Sequence, residues 1–269
     1  MLSILISVSV GLGVGLLLGL TGTMGYGWSS FFGVLSFGVA QFVMGRIFQK
    51  RLKGAMEAVQ AVLLDGQKKI QAKMARWQMR PPGSIQSMQA EIARDQRVFV
   101  TEALARTEDL RQFTPWVPMM ARQIATAQFQ LFWMIKEFKK VDELMPKALF
   151  MDPTMKAMKI ARMYMLDKPT EEIAKVYTKA VRGLRYNQNA LLAATYSWIL
   201  VQRKDIDGAF KALNHALEKS DNDTLKANRE HLANNRVPHF SNSGFGEQWY
   251  ALMLEEPKVR PQRQRMQWR

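Results

Sequence analysis

The sequence predicts an all-α protein in three parts: an N-terminal transmembrane helical hairpin, a long juxtamembrane helical hairpin, and an α-solenoid. Three observations carry that prediction. No Asp, Glu, Lys, Arg or His occurs from Met1 to Gly45. A proline-free helical pattern then runs to a Pro-Pro-Gly break at 81–83. Beyond residue 122, small-residue triplets centred on Ala148, Ala180 and Ala216 recur at intervals of 32 and 36 residues.

The charge-free stretch holds two apolar blocks, Leu2 to Leu20 and Trp28 to Phe48. Each is close to the roughly 20 residues that span about 30 Å of hydrocarbon. Twelve Leu, Ile or Val residues in the first block supply about −4 to −7 kcal/mol of insertion energy, less what Ser and Gly return. Tyr26 and Trp28 flank the break between the blocks, where amphipathic rings suit the headgroup level. Gly11, Gly15 and Gly19 form one small face, and Ser29, Gly33, Ser36 and Ala40 form another. Such faces let two backbones approach closely, so the blocks are expected to pair within the hairpin, with a homo-oligomer as the second reading. Met1-Leu2-Ser3 lacks the basic start of a cleaved signal peptide. Gly11, Gly13 and Gly15 lack the strand–turn–helix setting of a nucleotide loop.

Arg46, Lys50, Arg51 and Lys53 follow the second block directly, and the loop between the blocks carries no charge. Positive charge stays inside, so both ends of the hairpin and everything after it are expected in the cytoplasm. The expected location is an integral membrane protein, in a bacterial inner membrane or a eukaryotic organelle. The 269 residues contain no cysteine, which excludes disulfides, cysteine–zinc sites and a thiol nucleophile.

The net charge of +15 is uneven. Residues 46–80 hold nine Lys or Arg against Glu57 and Asp65, and the tail 258–269 holds five, Arg263 and Arg265 among them, with no acid. Basic segments beside a membrane helix attract anionic headgroups at about 1 kcal/mol per residue. The body between them is nearly neutral, which argues against a nucleic-acid-binding domain, although Trp268 among the tail arginines is also a stacking candidate.

Leu52, Met56, Val59, Leu63, Gly66, Ile70, Lys73 and Trp77 follow the spacing of a coiled-coil seam, with Gly66 and Lys73 as flaws in it. Ser84 is the expected N-cap of a following helix over 85–112. The two helices are expected to form a hairpin stalk, and Thr114-Pro115-Trp116-Val117-Pro118 marks its end. The domain boundaries that follow are 1–48 for the membrane hairpin, 49–113 for the basic stalk and 114–223 for the repeats. Capping helices occupy 224–257 and the basic tail 258–269.

A repeat near 34 residues means stacked helix pairs, none able to bury its face alone. Aligned on Ala148, Ala180 and Ala216, the first helices carry Phe132, Tyr164 and Leu200 at one position and Phe129, Ala161 and Ser197 at another. The second helices open at Phe138, Thr170 and Ile206, continue with Val141, Ile173 and Ala209, then Met145, Tyr177 and Leu213. One closing Asp-Pro is present, Asp152-Pro153, and Pro146 interrupts the first unit's second helix. These segments resemble degenerate tetratricopeptide repeats. The resemblance covers about 100 residues and implies binding of a protein or peptide along the concave face of the first helices. On that face it places Gln130, Trp133, Arg162, Met165, Trp198 and Gln202. Trp and Arg are favoured at binding hot spots, and Trp133 and Trp198 also suit a core. A polar helix over 224–235 and a short amphipathic helix over 247–255 are expected to cap the array.

His215, His231 and His239 lack metal-pair spacing, and neither a phosphate-binding loop nor a nucleophile elbow is present. No catalytic role, metal or cofactor is expected. The sequence therefore points to a membrane-anchored scaffold or adaptor. A subunit of a larger membrane assembly, joined through the glycine hairpin, and a binder of anionic lipid or nucleic acid through the basic ends are the alternatives.

Overall fold

A computed structural model of the chain describes residues 2–22, 25–79 and 83–257. The regular elements among them are all helical. The chain divides into two compact units, Met1–Leu149 and Phe150–Arg269.

The first unit begins with α1 (Leu2–Leu20) and α2 (Tyr26–Met79). Both contain windows long and apolar enough to cross a membrane. At about 1.5 Å per residue, the 54 residues of α2 extend about 80 Å. The boundary expected at residue 48 is not a break: α2 runs through it, with no proline between the apolar block and the basic stretch. The two helices pack antiparallel through their small faces. A Cβ on Gly11 would meet the Gly33 carbonyl oxygen and the Phe37 Cβ at 2.8 Å, and one on Gly33 would meet the Gly11 oxygen at 2.9 Å.

The helix α3 (Ile85–Glu108) returns along α2. Ser84 caps it as expected, its hydroxyl accepting from the Ser87 N–H at 3.1 Å while Ser87 Oγ accepts from the Ser84 N–H at 3.3 Å. The two irregularities in the α2 seam are both occupied. The Phe99 ring lies where a side chain on Gly66 would stand, its Cγ 2.3 Å from the position of a Cβ there. The Lys73 ammonium pairs with Glu91 at 2.8 Å and with Asp95.

After a 3₁₀ turn (Asp109–Phe113) come α4 (Met120–Met134) and α5 (Phe138–Leu144). Leu131 of α4 joins Phe99, Val100 and Ala103 of α3 in one cluster. Met120 and Ile124 join Leu110 and Phe113 in another, packed against Phe48 and Leu52 of α2. These contacts tie the first helix pair to the α2–α3 hairpin, so the division between units falls inside the stretch 114–223 rather than at its start. Helix α5 ends at Leu144, one turn short of Ala148, because Pro146 removes a donor and disfavours helix in the residue before it.

The second unit comprises α6 (Pro153–Met165), α7 (Thr170–Val181), α8 (Ala190–Gln202), α9 (Ile206–Leu217) and α10 (Asp223–Ala233). Two 3₁₀ turns and the one-turn helix α11 (Glu247–Tyr250) follow. Asp152 caps α6, accepting from the Thr154 N–H at 2.8 Å, with Pro153 at the first helical position. Asp205 caps α9 and Asn222 caps α10 in the same way, at 2.9 and 3.1 Å.

The helix pairs share a register. Phe129, Ala161 and Ser197 are buried alike, as are Val141, Ile173 and Ala209, and Ala148, Ala180 and Ala216. They also share a turn. Helices α4, α6, α8 and α10 end with a residue of positive φ, at Lys136, Asp167, Lys204 and Asn235. In each, the next N–H closes the helix onto a carbonyl five residues back: Glu137 to Phe132, Lys168 to Met163, Asp205 to Leu200, Arg236 to His231. This is the Schellman closure, made here without glycine at a cost of about 1 kcal/mol or more per left-handed residue.

Candidate functional site

The candidate residues fall into three groups. The first is the glycine face of the hairpin. Gly11, Gly15 and Gly33 lie at the closest approach of α1 and α2, whereas Gly19 meets only Ser29, at 3.9 Å. Further along the pair, the Ser7 hydroxyl donates to Gln41 Oε1 at 2.9 Å. A groove of about 640 Å³ runs beside these glycines, lined by Val8, Leu12, Leu16, Tyr26, Ser30 and Val34 among others.

The second group is basic. Arg46, Lys50 and Lys53 are exposed and follow one another at helical spacing on α2, and Arg51 is exposed beside them. The Arg46 guanidinium lies 5.4 Å from the Phe42 ring centroid. Lys53 reaches Glu57 at 3.8 Å, a contact weak at an exposed site. Arg263 and Arg265 lie outside the described residues. Further out on α2, the hydrogen bonds that Lys73 donates to Asp95 and Glu91 hold its ammonium above the ordinary lysine range.

The third group is the expected binding face. Gln130 and Trp133 belong to the first unit; Arg162, Met165, Trp198 and Gln202 belong to the second. Trp133 is 1% exposed, stacked on Phe129 at 5.9 Å and edge-on to Phe138 at 5.7 Å. Trp198 is 7% exposed. Both tryptophans are therefore core side chains rather than groove surface, because the Phe138 ring of α5 packs on Trp133 and the chain's own end covers Trp198. Gln130 and Gln202 are exposed, and Arg162 and Met165 half-buried, with the Arg162 guanidinium 3.9 Å from the Met165 sulfur.

What covers Trp198 is the segment after α10. The amphipathic helix expected over 247–255 is helical only to Tyr250; turns then carry Glu255 under the indoles. The Trp198 Nε1–H donates to Glu255 Oε1 at 2.8 Å and the Trp249 Nε1–H to Glu255 Oε2 at 2.7 Å. The two indoles meet edge to face at 5.9 Å, and Tyr164 meets Trp198 at 5.3 Å. A carboxylate holding two buried indole donors closes this face. Behind it, Asn242 donates to the Ala194 carbonyl at 2.9 Å and accepts from Asn228 at 2.8 Å, fixing the segment to α8 and α10.

Neither Trp249 nor Glu255 stood out in the sequence as a partner of Trp198. Their signal, a tryptophan six residues before an acid, has no periodicity. Tyr177 and Tyr196 stack at 4.3 Å, and burial pushes the Tyr177 hydroxyl up to about 12. Burial, and then the charges of Asp205 and Glu171, also raises Tyr196.

Compared with known protein families, curated proteins and solved structures, the chain has no match.

Proposed function

We propose that this chain is a membrane-anchored scaffold. Its α1–α2 hairpin spans the bilayer, and its repeated helix pairs, similar to tetratricopeptide repeats, bind a protein partner in the cytoplasm. The observation that carries the reading is the shared register. Three helix pairs bury the same three positions and end their first helices with the same turn, and arrays built this way offer their first helices as an extended recognition surface. In the second unit the part of that surface left open beside the covered Trp198 is Gln202, with Arg162 and Met165 half-buried next to it. Its mixed polar and thioether character suits an extended peptide more than a run of acids. The charge-free hairpin followed at once by Arg46, Lys50, Arg51 and Lys53 supports the cytoplasmic side.

A second reading, a subunit of a larger membrane assembly, is favoured by the groove beside Gly11, Gly15 and Gly19. One experiment separates the two. A photo-crosslinking residue is placed at Gln202, at Arg162, at Leu16 in the hairpin, or at Leu64 in α2, each in the full chain in its native membrane. A single protein captured from Gln202 and Arg162 and absent from Leu64 is the expected result. Capture from Leu16 alone would move the interface into the membrane and overturn the scaffold reading.

A further inference from the structure

We infer that the segment Thr114–Met119 is seated in the headgroup layer of the bilayer, so that α4 starts at the membrane instead of standing away from it on a stalk. The inference depends on the proposal that α1 and α2 span a membrane. The sequence marks the segment only as a boundary; its seat follows from where the fold brings it.

The level of the membrane surface is set by α2. From Tyr26, the helix runs without a charge to Gly45 and meets its first at Arg46. At roughly 1.5 Å per residue this is about 30 Å, the thickness of the hydrocarbon. The register of the hairpin carries that level across to α1. Gly15 lies against Gly33 and Gly11 against Phe37, and Ser7 bonds Gln41. Each step of four residues back along α1 matches four forward along α2, and the next step sets Ser3 opposite Gly45 and Leu2 opposite Arg46.

It is at this level that the segment is held. The Leu2 N–H donates to the Pro115 carbonyl at 2.8 Å, and the Ser3 hydroxyl donates to the Trp116 carbonyl at 2.7 Å. From the other side the Trp116 ring stacks on Phe48, centroids 4.7 Å apart and planes 20° apart, within one turn of Arg46. Two helices that cross the hydrocarbon thus grip one loop at the height where the hydrocarbon ends.

The chemistry of the loop suits that height. Thr114-Pro115-Trp116-Val117-Pro118-Met119 carries no charge, and its exposed members include Pro115, Pro118 and Met119, the last 54% exposed. Met119 holds a positive φ of 62°, which ends the loop and starts α4. A tryptophan with an apolar body and a polar edge belongs to the membrane–water boundary, and Arg46 and Lys50, exposed at the same level of α2, match anionic headgroups. A free aqueous loop would instead leave two prolines and a methionine facing water next to a lipid surface. With the loop seated, α4 begins at the membrane and the tip of the α2–α3 hairpin, near Met79, stands about 50 Å out at roughly 1.5 Å per residue.

The absence of cysteine makes the test direct. Single cysteines are introduced as Met119→Cys, Val39→Cys and Met79→Cys in the full chain, labelled with a nitroxide, and reconstituted in phosphatidylcholine–phosphatidylglycerol vesicles. Collision rates with oxygen and with a water-soluble nickel chelate give depth, and a lipid carrying nickel on its headgroup reports contact with that layer. The expected result is a deep label at 39, an aqueous label at 79, and at 119 a several-fold loss of chelate collisions together with strong relaxation by the nickel headgroup. A deep label at 39 with chelate access at 119 equal to that at 79 would overturn the seat alone. Protection at 119 without headgroup relaxation would mean that protein covers it, and also overturns the seat. An aqueous label at 39 would sink the spanning hairpin and the seat with it.

Discussion

Helices α1 and α8 are both uncharged and mostly apolar, yet they bury different things. Helix α8 buries Leu191, Leu192, Trp198, Ile199 and Leu200. Helix α1 buries Ser3, Ser7 and Gly11 and leaves Leu5, Leu12, Leu16 and Leu17 at 61% exposed or more. In water the drive to associate is removal of apolar surface, at about 25 cal/mol per Å², so an apolar helix must be surrounded. Between helices in lipid that drive is missing, and close packing of small residues with an occasional hydrogen bond replaces it. A helix that turns its glycines and serines inward and its leucines outward fits the proposed spanning hairpin, whose solvent would be as apolar as leucine.

The contrast is tested most sharply by cutting the same side chain from each helix. Leu200→Ala should destabilise the second unit by about 2–5 kcal/mol, read by denaturant unfolding of the full chain in detergent. Leu16→Ala should leave that unfolding unchanged and reduce insertion by only a few tenths of a kcal/mol. Equal losses would mean that α1 is an ordinary core helix.

Burial of the aqueous kind also leaves a pH signature. Tyr177 ionises near 10.0 when unfolded and near 12 when folded, because its buried site favours the neutral phenol. The stability this contributes is complete below pH 10 and disappears as the pH rises through 12, about 3 kcal/mol at roughly 1.4 kcal/mol per unit. Tyr177→Phe should remove most of the alkaline loss and leave a shallower slope from Tyr196; an unchanged slope would place the titrating groups elsewhere.

The lipid kind of packing is broken by volume instead of by charge. Gly11→Leu forces a side chain onto the Gly33 carbonyl and should cost about 1–3 kcal/mol. Spin labels at Leu5 and Val43 should then report a longer, broader distance, while unfolding of the second unit stays as it was. A narrow, unmoved distance would show that the glycine contact does not hold the hairpin. A smaller change in the same distance is expected from Ser7→Ala, about 0.6 kcal/mol, the average for hydrogen bonds between membrane helices, visible as a modest broadening.

Much of this was legible along the chain because it depends on neighbours close in sequence. The charge-free stretch, the Ser84 cap and the recurring alanines are local signals, and the tetratricopeptide resemblance added the openings of second helices at Phe138, Thr170 and Ile206. The closures at Lys136, Asp167, Lys204 and Asn235 were not legible, since a left-handed turn without glycine or proline leaves no mark in composition. The seam residues Gly66 and Lys73 read as flaws only because their partners, Phe99, Glu91 and Asp95, lie on another helix.

Composition and spacing sufficed for the all-α class, the two apolar helices and the pairing of helices at a near-regular interval, because hydrophobic period and helix ends are written in consecutive residues. They left open which aromatic residues face a ligand and where the loop at 114–118 goes. The folded chain brings Glu255 under Trp198, 57 residues away, and Trp116 to Ser3, 113 residues away. Contacts at such separations arise when helices of particular length and angle are packed together, and no local pattern encodes that geometry.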